Sequence, residues 1–363
     1  MKKVMIATGG TGGHIYPALA LAEVIKQNDP DCEIQFFGSS NRMEATVIPA
    51  SGYRFTGMEM TGMNGGLSAK VKSAVSLLKA QRKCRQLLKM EQPDICVGFG
   101  NYISVPLIMA AHSLHIPTMI HEQNSTAGKA NKMLSKYADA IVGCYDANVE
   151  QLGKDKTRLY GNPEASLAAG TKSNPDILRG YGIDPEQPFV DFMMGSLGSS
   201  SVSKVIDEAC ALFDPSFQIL IAAGKDNDYT FATKSDERIH IVPYIDGVQC
   251  LKQAALSVTR AGATTMAEIA AVGAASILIP SPFVPNNHQV YNALELVRQN
   301  AAVMIEEKDL TPQSLAETVN RLMNSVSERG MMKQNAKTMG RTDAADRMID
   351  WMEELSDHGS DGK

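Results

Sequence analysis

No pair of cysteines in this sequence has the spacing of a metal site or of a disulfide framework. The six fall at 32, 84, 96, 144, 210 and 250, with no C-x-x-C among them. They read as reduced thiols of a cytosolic protein. No apolar run reaches the ~18 residues that a membrane-spanning helix needs. Positive charge is not in excess: 35 Lys and Arg stand against 40 Asp and Glu, a net charge of −5. That balance argues against nucleic acid as a partner. Lys2-Lys3 leads straight into an apolar strand pattern at 4–7 and then into glycines, so no secretory signal is expected. A G-x-x-x-x-G-K-[ST] phosphate loop is missing. So is the acid that would hold a nicotinamide ribose after the second strand, where Phe36-Phe37-Gly38-Ser39-Ser40 stands instead. Asp226-Asn227-Asp228 has the D-x-D form of a metal site, but it lies in a polar run and reads as a solvated loop.

What is present is alternation. Hydrophobic residues make up 44% and charged residues 21% of 363 positions, the composition of a soluble globular protein of two ordinary domains. Strands are expected at 4–7, 33–37, 95–97, 118–120 and 140–142, then at 189–194, 218–222, 240–242, 256–259, 276–279 and 303–305. Helical patterns at 15–26, 202–213 and 265–272 lie between them. Strands separated by helices imply parallel sheets covered on both faces. Each half opens as strand, small-residue loop and helix: Gly9-Gly10-Thr11-Gly12-Gly13-His14 in the first, Gly195-Ser196-Leu197-Gly198-Ser199-Ser200 in the second. The expectation is an α/β fold of two Rossmann-like, doubly wound domains, 1–162 and 163–342, facing across a cleft. Gly161-Asn162-Pro163 is the expected hinge. A last helix at 343–356, carrying the only tryptophan, Trp351, is expected to return to the first domain, and 357–363 reads as disordered.

Several stretches bear chemistry. Around 256–296, a strand, the turn Ala261-Gly262-Ala263 and a helix start form an anion site, because free N–H groups and the helix dipole point outward there. Asn286, Asn287, His288, Gln289 and Asn292 follow as a dense set of neutral hydrogen-bonding side chains suited to sugar hydroxyls and phosphate. Glu268 has two readings: the acid of a Thr265-x-x-Glu268 capping box, or a carboxylate on the hydroxyls of a nucleotide ribose. His14, at the tip of the first glycine loop, has two as well: general base toward a sugar hydroxyl, or a contact to the loop or a phosphate. His121-Glu122-Gln123-Asn124 stands where α/β proteins bind ligands, at the carboxyl end of a strand. Between Glu59 and Glu91, Lys70, Lys72, Lys79, Arg82, Lys83, Arg85 and Lys89 occur with no acid among them. At helical spacing three of the lysines flank an apolar line of Val71, Val75 and Leu78. Either that line touches an anionic membrane surface, or it is core and the cations are merely solvated.

GGTGGHIYPALALAEVI (9–25), SSNRMEATVIPASGY (39–53), HEQNSTAGKANKMLSKYAD (121–139), GNP (161–163), YID (244–246) and RAGATTMAEIAAVGAASILIP…NNHQVYNA (260–293) together resemble glycosyltransferase family 28. Within it they are similar to the bacterial enzymes that make lipid II, and the likeness spans nearly the whole chain. The resemblance implies a GT-B fold and an inverting, metal-free hexosyltransferase with no cofactor. It implies UDP-N-acetylglucosamine as donor and the C4 hydroxyl of the muramoyl sugar of lipid I as acceptor, at the cytoplasmic face of the membrane. By position, Thr11, Gly12, Gly13 and Asn124 would touch the donor, Ser196 its diphosphate, and Ile245 the uracil through its backbone. Ala263, Thr264, Thr265, Met266, Ala267 and Glu268 would cradle phosphate and ribose, Gln289 would bind the sugar, and His14 is the base or a phosphate contact. Three motifs depart from the family pattern: Met194 stands where glycine is usual in the second small-residue loop, Asn101 and Val105 replace the glycines of Gly-Gly-Tyr-x-Ser-Gly-Pro, and Ala165 stands where some members have arginine. The alternatives are a related glycolipid synthase and a nucleotide-sugar-binding subunit without chemistry.

Overall fold

The computed structural model describes residues 1–60, 67–195, 198–224 and 228–360, and among these the side chains of 67–74 and 358–360 are not described. Ser196, Asp226 and Asn227 therefore lie outside the described residues, as do the side chains of Lys70, Val71 and Lys72. The chain forms two units, Met1–Leu167 with Thr342–Lys363, and Ala168–Arg341.

The first unit holds seven parallel strands: β1 (Lys3–Ala7), β2 (Glu33–Ser39), β3 (Arg54–Met58), β4 (Ile95–Gly98), β5 (Thr118–Glu122), β6 (Ala140–Gly143) and β7 (Thr157–Arg158), in the order β3-β2-β1-β4-β5-β6-β7. The second holds six, β8 (Phe189–Met193), β9 (Gln218–Ala222), β10 (Ile239–Val242), β11 (Leu256–Thr259), β12 (Ser276–Leu278) and β13 (Ala302–Met304), in the order β10-β9-β8-β11-β12-β13. Both orders reverse direction beside their first strand, which is where open α/β sheets bind ligands at the strands' carboxyl ends. The expected Rossmann-like pair is thus present. Two strands escape a reading of the sequence. β3 is an edge strand, RFTGM, without an apolar run, and β7 has only two residues.

In the first unit, alternate residues of β1 serve opposite faces. Val4 and Ile6 enter one buried cluster with Phe36 and Val97, whereas Met5 and Ala7 enter another with Phe37 and Cys96. Burial on both faces explains why these strands read as continuous apolar runs. The helix Ala344–Ser360 lays Met348, Trp351 and Met352 into the first cluster, beside helix α1 (Gly12–Asn28). The Trp351 ring meets Tyr160 edge-on at 5.7 Å and lies under the Arg158 guanidinium at 4.2 Å. Anchored there, the helix continues through Ser360, so the disordered tail expected from 357 onward is corrected over those residues. Helix α3 (Leu67–Glu91) buries Ala80, Cys84 and Leu88, one residue per turn, while Val75 and Leu78 are 46% and 61% exposed. The apolar line expected from spacing is therefore not the buried one at Val75 and Leu78.

In the second unit, the middle of β8 carries a fully buried acid. Asp191 accepts the Ser257 hydroxyl at 2.6 Å, and its other oxygen has no partner. Burial pushes its carboxyl up to about 7. The folded state then holds the proton more tightly than the unfolded chain, so stability is lost as pH rises from the unfolded pKa toward the folded one. Between about pH 4 and pH 7 the loss from this group is on the order of 3 kcal/mol. Asp191→Asn is expected to remove that part of the pH dependence, which thermal unfolding of both proteins at pH 5 and pH 8 would measure. An unchanged pH slope in the variant would refute the assignment.

Candidate active site

The first glycine loop leaves β1 at Thr8. Gly9 and Gly10 take φ of 153° and 87°, and Thr11 caps α1 with an extended backbone. The helix begins at Gly12, earlier than the expected 15, so His14 lies in its first turn rather than at a loop tip. Small residues after an extended cap are enough to start the helix, although nothing apolar marks it there. Pro17 consequently falls in the second turn, where its missing N–H strands the Gly13 carbonyl. Gln123 supplies the donor, its Nε2 reaching Gly13 O at 3.1 Å, and Thr8 Oγ1 donates to His14 O at 2.7 Å. The His14 ring has Nδ1 3.0 Å from Thr11 Oγ1. Its other edge lies against Gly100: a Cβ there would stand 2.7 Å from His14 Cδ2 and 3.0 Å from Nε2.

Gly100 caps helix α4 (Asn101–His112) at φ 68°, ψ −176°, a backbone that essentially only glycine adopts. Gly100→Ala is expected to displace the imidazole and lower turnover about 30-fold, within what misplacement of a reacting group costs. The comparison of kcat with overall helicity checks this, and a folded variant with full turnover would refute it. Asn101, where glycine is usual, has φ 47°, which asparagine tolerates better than most residues. Its side chain is put to use, Nδ2 donating to Gly9 O and Oδ1 accepting from Ile103 N. The departure from the family pattern thus ties α4 to the glycine loop.

The HEQN stretch mostly faces inward. His121, Glu122 and Gln123 are buried, and the first two belong to β5. Glu122 accepts from the backbone N–H of Asn124 and Gly128 and from Asn131 Nδ2 at 2.9–3.1 Å, folding 123–128 back over itself. Burial holds the His121 imidazole down at about 4, hence neutral. Of the four polar residues expected to meet ligand, only Asn124 is partly exposed, and its backbone O accepts from Asn148 Nδ2 at 2.9 Å.

In the second unit, the helix Ala263–Val272 follows β11 with Gly262 as its cap, so the expected start at 265 and the capping box are both corrected. Thr265 is the third helical residue and Glu268 the sixth, too far along to cap. The cap makes no side-chain hydrogen bond, no acid stands in the first turn, and the buried Thr264 Oγ1 has no partner. Such an N-terminus offers N–H groups and positive potential to an anion. Glu268 is half-buried and has no hydrogen-bond partner among the described residues. Poor solvation pushes its carboxyl up to about 7, and the Asp246 carboxylate adds to the shift. Asp246 itself caps the next helix, Gly247–Gln253. Just before it, Ile245 is buried with a backbone that no turn or cap hydrogen bond engages among the described residues. Gln289, at the start of the helix His288–Arg298, accepts from Ser281 N at 2.8 Å, which turns its Nε2 donor outward from that loop. Asn292, expected to meet ligand, is fully buried and donates to Ala261 O at 3.3 Å.

Arg260 directly follows the last residue of β11. Its guanidinium donates to Glu307 Oε2 at 2.8 Å, Ser199 Oγ at 2.8 Å and Ile279 O at 3.1 Å, and Ser201 Oγ adds a bond to Glu307 Oε1 at 2.8 Å. This partly buried pair joins the ends of β11 and β12 to the start of the helix Ser200–Ala209. Met194, replacing a family glycine, does not take a positive φ and buries its side chain, while Gly195 keeps φ 85°. Among the described residues no three His, Cys, Asp or Glu gather as a metal site.

The family models named Glycosyltransferase family 28 N-terminal domain and C-terminal domain match residues 4–142 and 189–348. A protein of Listeria monocytogenes is 38% identical over 356 residues, 96% of this chain and 98% of that protein. One of Leuconostoc mesenteroides is 39% identical over 353 residues, 95% and 97% of the two chains. Both are named UDP-N-acetylglucosamine–N-acetylmuramyl-(pentapeptide) pyrophosphoryl-undecaprenol N-acetylglucosamine transferase. The crystal structure of Acinetobacter baumannii MurG superposes with a TM-score of 0.78 at 25% identity, covering 98% of this chain and 100% of the other.

Proposed function

The chain belongs to glycosyltransferase family 28, and from that premise we propose that it transfers N-acetylglucosamine from UDP-N-acetylglucosamine to undecaprenyl-diphosphate-linked N-acetylmuramyl-pentapeptide, forming lipid II. It is a hexosyltransferase of peptidoglycan synthesis. The observation that carries the donor assignment is Glu268: it caps no helix and has no hydrogen-bond partner among the described residues, which leaves its carboxylate able to accept both ribose hydroxyls of the nucleotide. The second unit holds the donor. The open N–H groups of Ala263, Thr264 and Thr265 take the diphosphate, with Ser196 contributing from outside the described residues, and the Ile245 backbone pairs with the uracil. Met266 and Ala267 carry the turn on to Glu268, and Gln289 Nε2 binds the sugar.

The first unit supplies the acceptor side and the base. Thr11 Oγ1 lies 3.0 Å from His14 Nδ1; in the tautomer that carries its proton on Nδ1, Nε2 is the basic nitrogen and takes the proton of the acceptor's C4 hydroxyl. The freed oxygen attacks the anomeric carbon opposite the diphosphate, that carbon inverts, and the bond to UDP breaks with its electrons on the departing phosphate. The N-terminus of Ala263–Val272 stabilises that charge. Thr11, Gly12, Gly13 and Asn124 touch the donor's sugar end.

The membrane surface is met by α3. Val75 and Leu78 are exposed beside Lys79, Arg82 and Lys83, and no helix among the described residues is long and apolar enough to cross a membrane. Each cation near anionic lipid contributes about 1 kcal/mol, enough together for peripheral attachment at the cytoplasmic face. The test of the whole reading is transfer by the purified protein to a short-chain lipid I analogue with EDTA present throughout. A β-1,4-linked disaccharide product is expected. Binding of the donor without product, with or without Mg²⁺, would leave a binding subunit instead.

A further inference from the structure

The glycine loop of the first unit resembles a phosphate cradle, yet one of its N–H groups is already taken. Helix α2 (Glu44–Ala50) begins with Glu44, which is completely buried. Its Oε2 accepts from Gly10 N at 2.9 Å, and its Oε1 accepts from Ser39 N at 3.0 Å, at the end of β2. The side chain packs against two glycines, its carboxylate on Gly9 and its Cγ on Gly38. A Cβ on Gly9 would stand 2.2 Å from Oε1, and one on Gly38 would stand 2.8 Å from Glu44 Cγ. A buried carboxylate is costly unless it is hydrogen-bonded, and these two backbone donors are its partners. The second unit makes the opposite choice, since no acid and no capping side chain fill the N-terminus of Ala263–Val272.

We propose that Glu44 is a built-in anion occupying the position a phosphate would take on the first glycine loop, and that it is a positioning residue for His14. It bars a nucleotide diphosphate from the first unit and fixes the loop from which α1, with its histidine, departs. One buried acid thereby divides labour between two sheets of the same strand order, leaving the nucleotide diphosphate to the second. The kinetic part of this inference rests on the transferase reading above; the binding part does not.

The test compares wild type, Glu44→Ala and Glu44→Gln in sodium formate and in sodium chloride of equal ionic strength. Glu44→Ala is expected to lose about 30-fold in kcat, within what misplacement of a reacting group costs, with KM for UDP-N-acetylglucosamine changed less than about twofold. Formate at about 0.2 M should enter the vacated space, raise the melting temperature of Glu44→Ala but not of wild type, and recover most of the lost turnover. In Glu44→Gln the amide must turn its NH₂ toward one of the two N–H donors, so turnover should fall even though shape is kept. The inference is overturned by Glu44→Ala turnover within about threefold of wild type, by the absence of a formate-specific melting shift, or by full activity of Glu44→Gln. Should wild type show no transfer at all, the transferase reading fails, and the melting shift alone still decides this one.

Discussion

His14→Ala is expected to lower kcat for transfer to lipid I about a thousandfold, in the middle of the range that positioned proton transfer contributes. The KM for UDP-N-acetylglucosamine should change little, because the groups assigned to the nucleotide belong to the second unit. The reason for so large an effect is local. The ring is held from two sides, by Thr11 Oγ1 at Nδ1 and by the close approach of Gly100, so no other described side chain of that loop offers a basic nitrogen. His14→Gln keeps a hydrogen-bonding tip but no basic nitrogen and should be nearly as slow. If instead kcat holds and the acceptor KM rises, His14 is a phosphate contact and the base lies elsewhere.

Glu268→Ala is expected to weaken UDP-N-acetylglucosamine about 100-fold at pH 8, the loss of two hydrogen bonds to a charged acceptor at roughly 1.5 kcal/mol each. The same carboxyl makes affinity pH-dependent. Its pKa in the free protein is raised to about 7 by poor solvation, with Asp246 adding to it. Ribose hydroxyls donate to the ionised form, so binding competes with a proton. Affinity should be flat above that pKa and fall toward tenfold per pH unit below it, with proton release on binding at neutral pH. Titration calorimetry in two buffers of different ionisation enthalpy measures both quantities. Glu268→Gln should bind weakly at pH 8 and show no such slope. A wild-type affinity indifferent to pH between 5.5 and 8 would remove Glu268 from the ribose.

The errors in reading the sequence share a cause. Helical periodicity puts the starts at 15 and 265, whereas the helices begin at Gly12 and Ala263, where glycine and small residues let the chain turn without any apolar signal. That shift of two or three residues is decisive for chemistry. It moves His14 into a helical turn, releases Glu268 from a cap, and gives Pro17 a stranded carbonyl for Gln123 to satisfy. Glu44 stands within one of the family motifs, but an acid followed by Ala45, Thr46 and Val47 carries no local mark of total burial. Arg260 likewise stood in the best-marked stretch of the chain while its partner, Glu307, lies 47 residues on.

The sequence by itself determined the two parallel-sheet units, because strands buried on both faces must be apolar throughout and the segments between them must be helical. Long motifs determined the family in the same way. Tertiary structure alone decided which polar groups are available to substrate. His121, Glu122, Gln123 and Asn292 are buried and bond groups inside the fold, while Thr264, Glu268 and Gln289 are only partly buried and keep capacity to spare. Hydrogen-bond capacity is used up by whatever lies within about 3 Å, and that neighbourhood is set by residues distant in the chain.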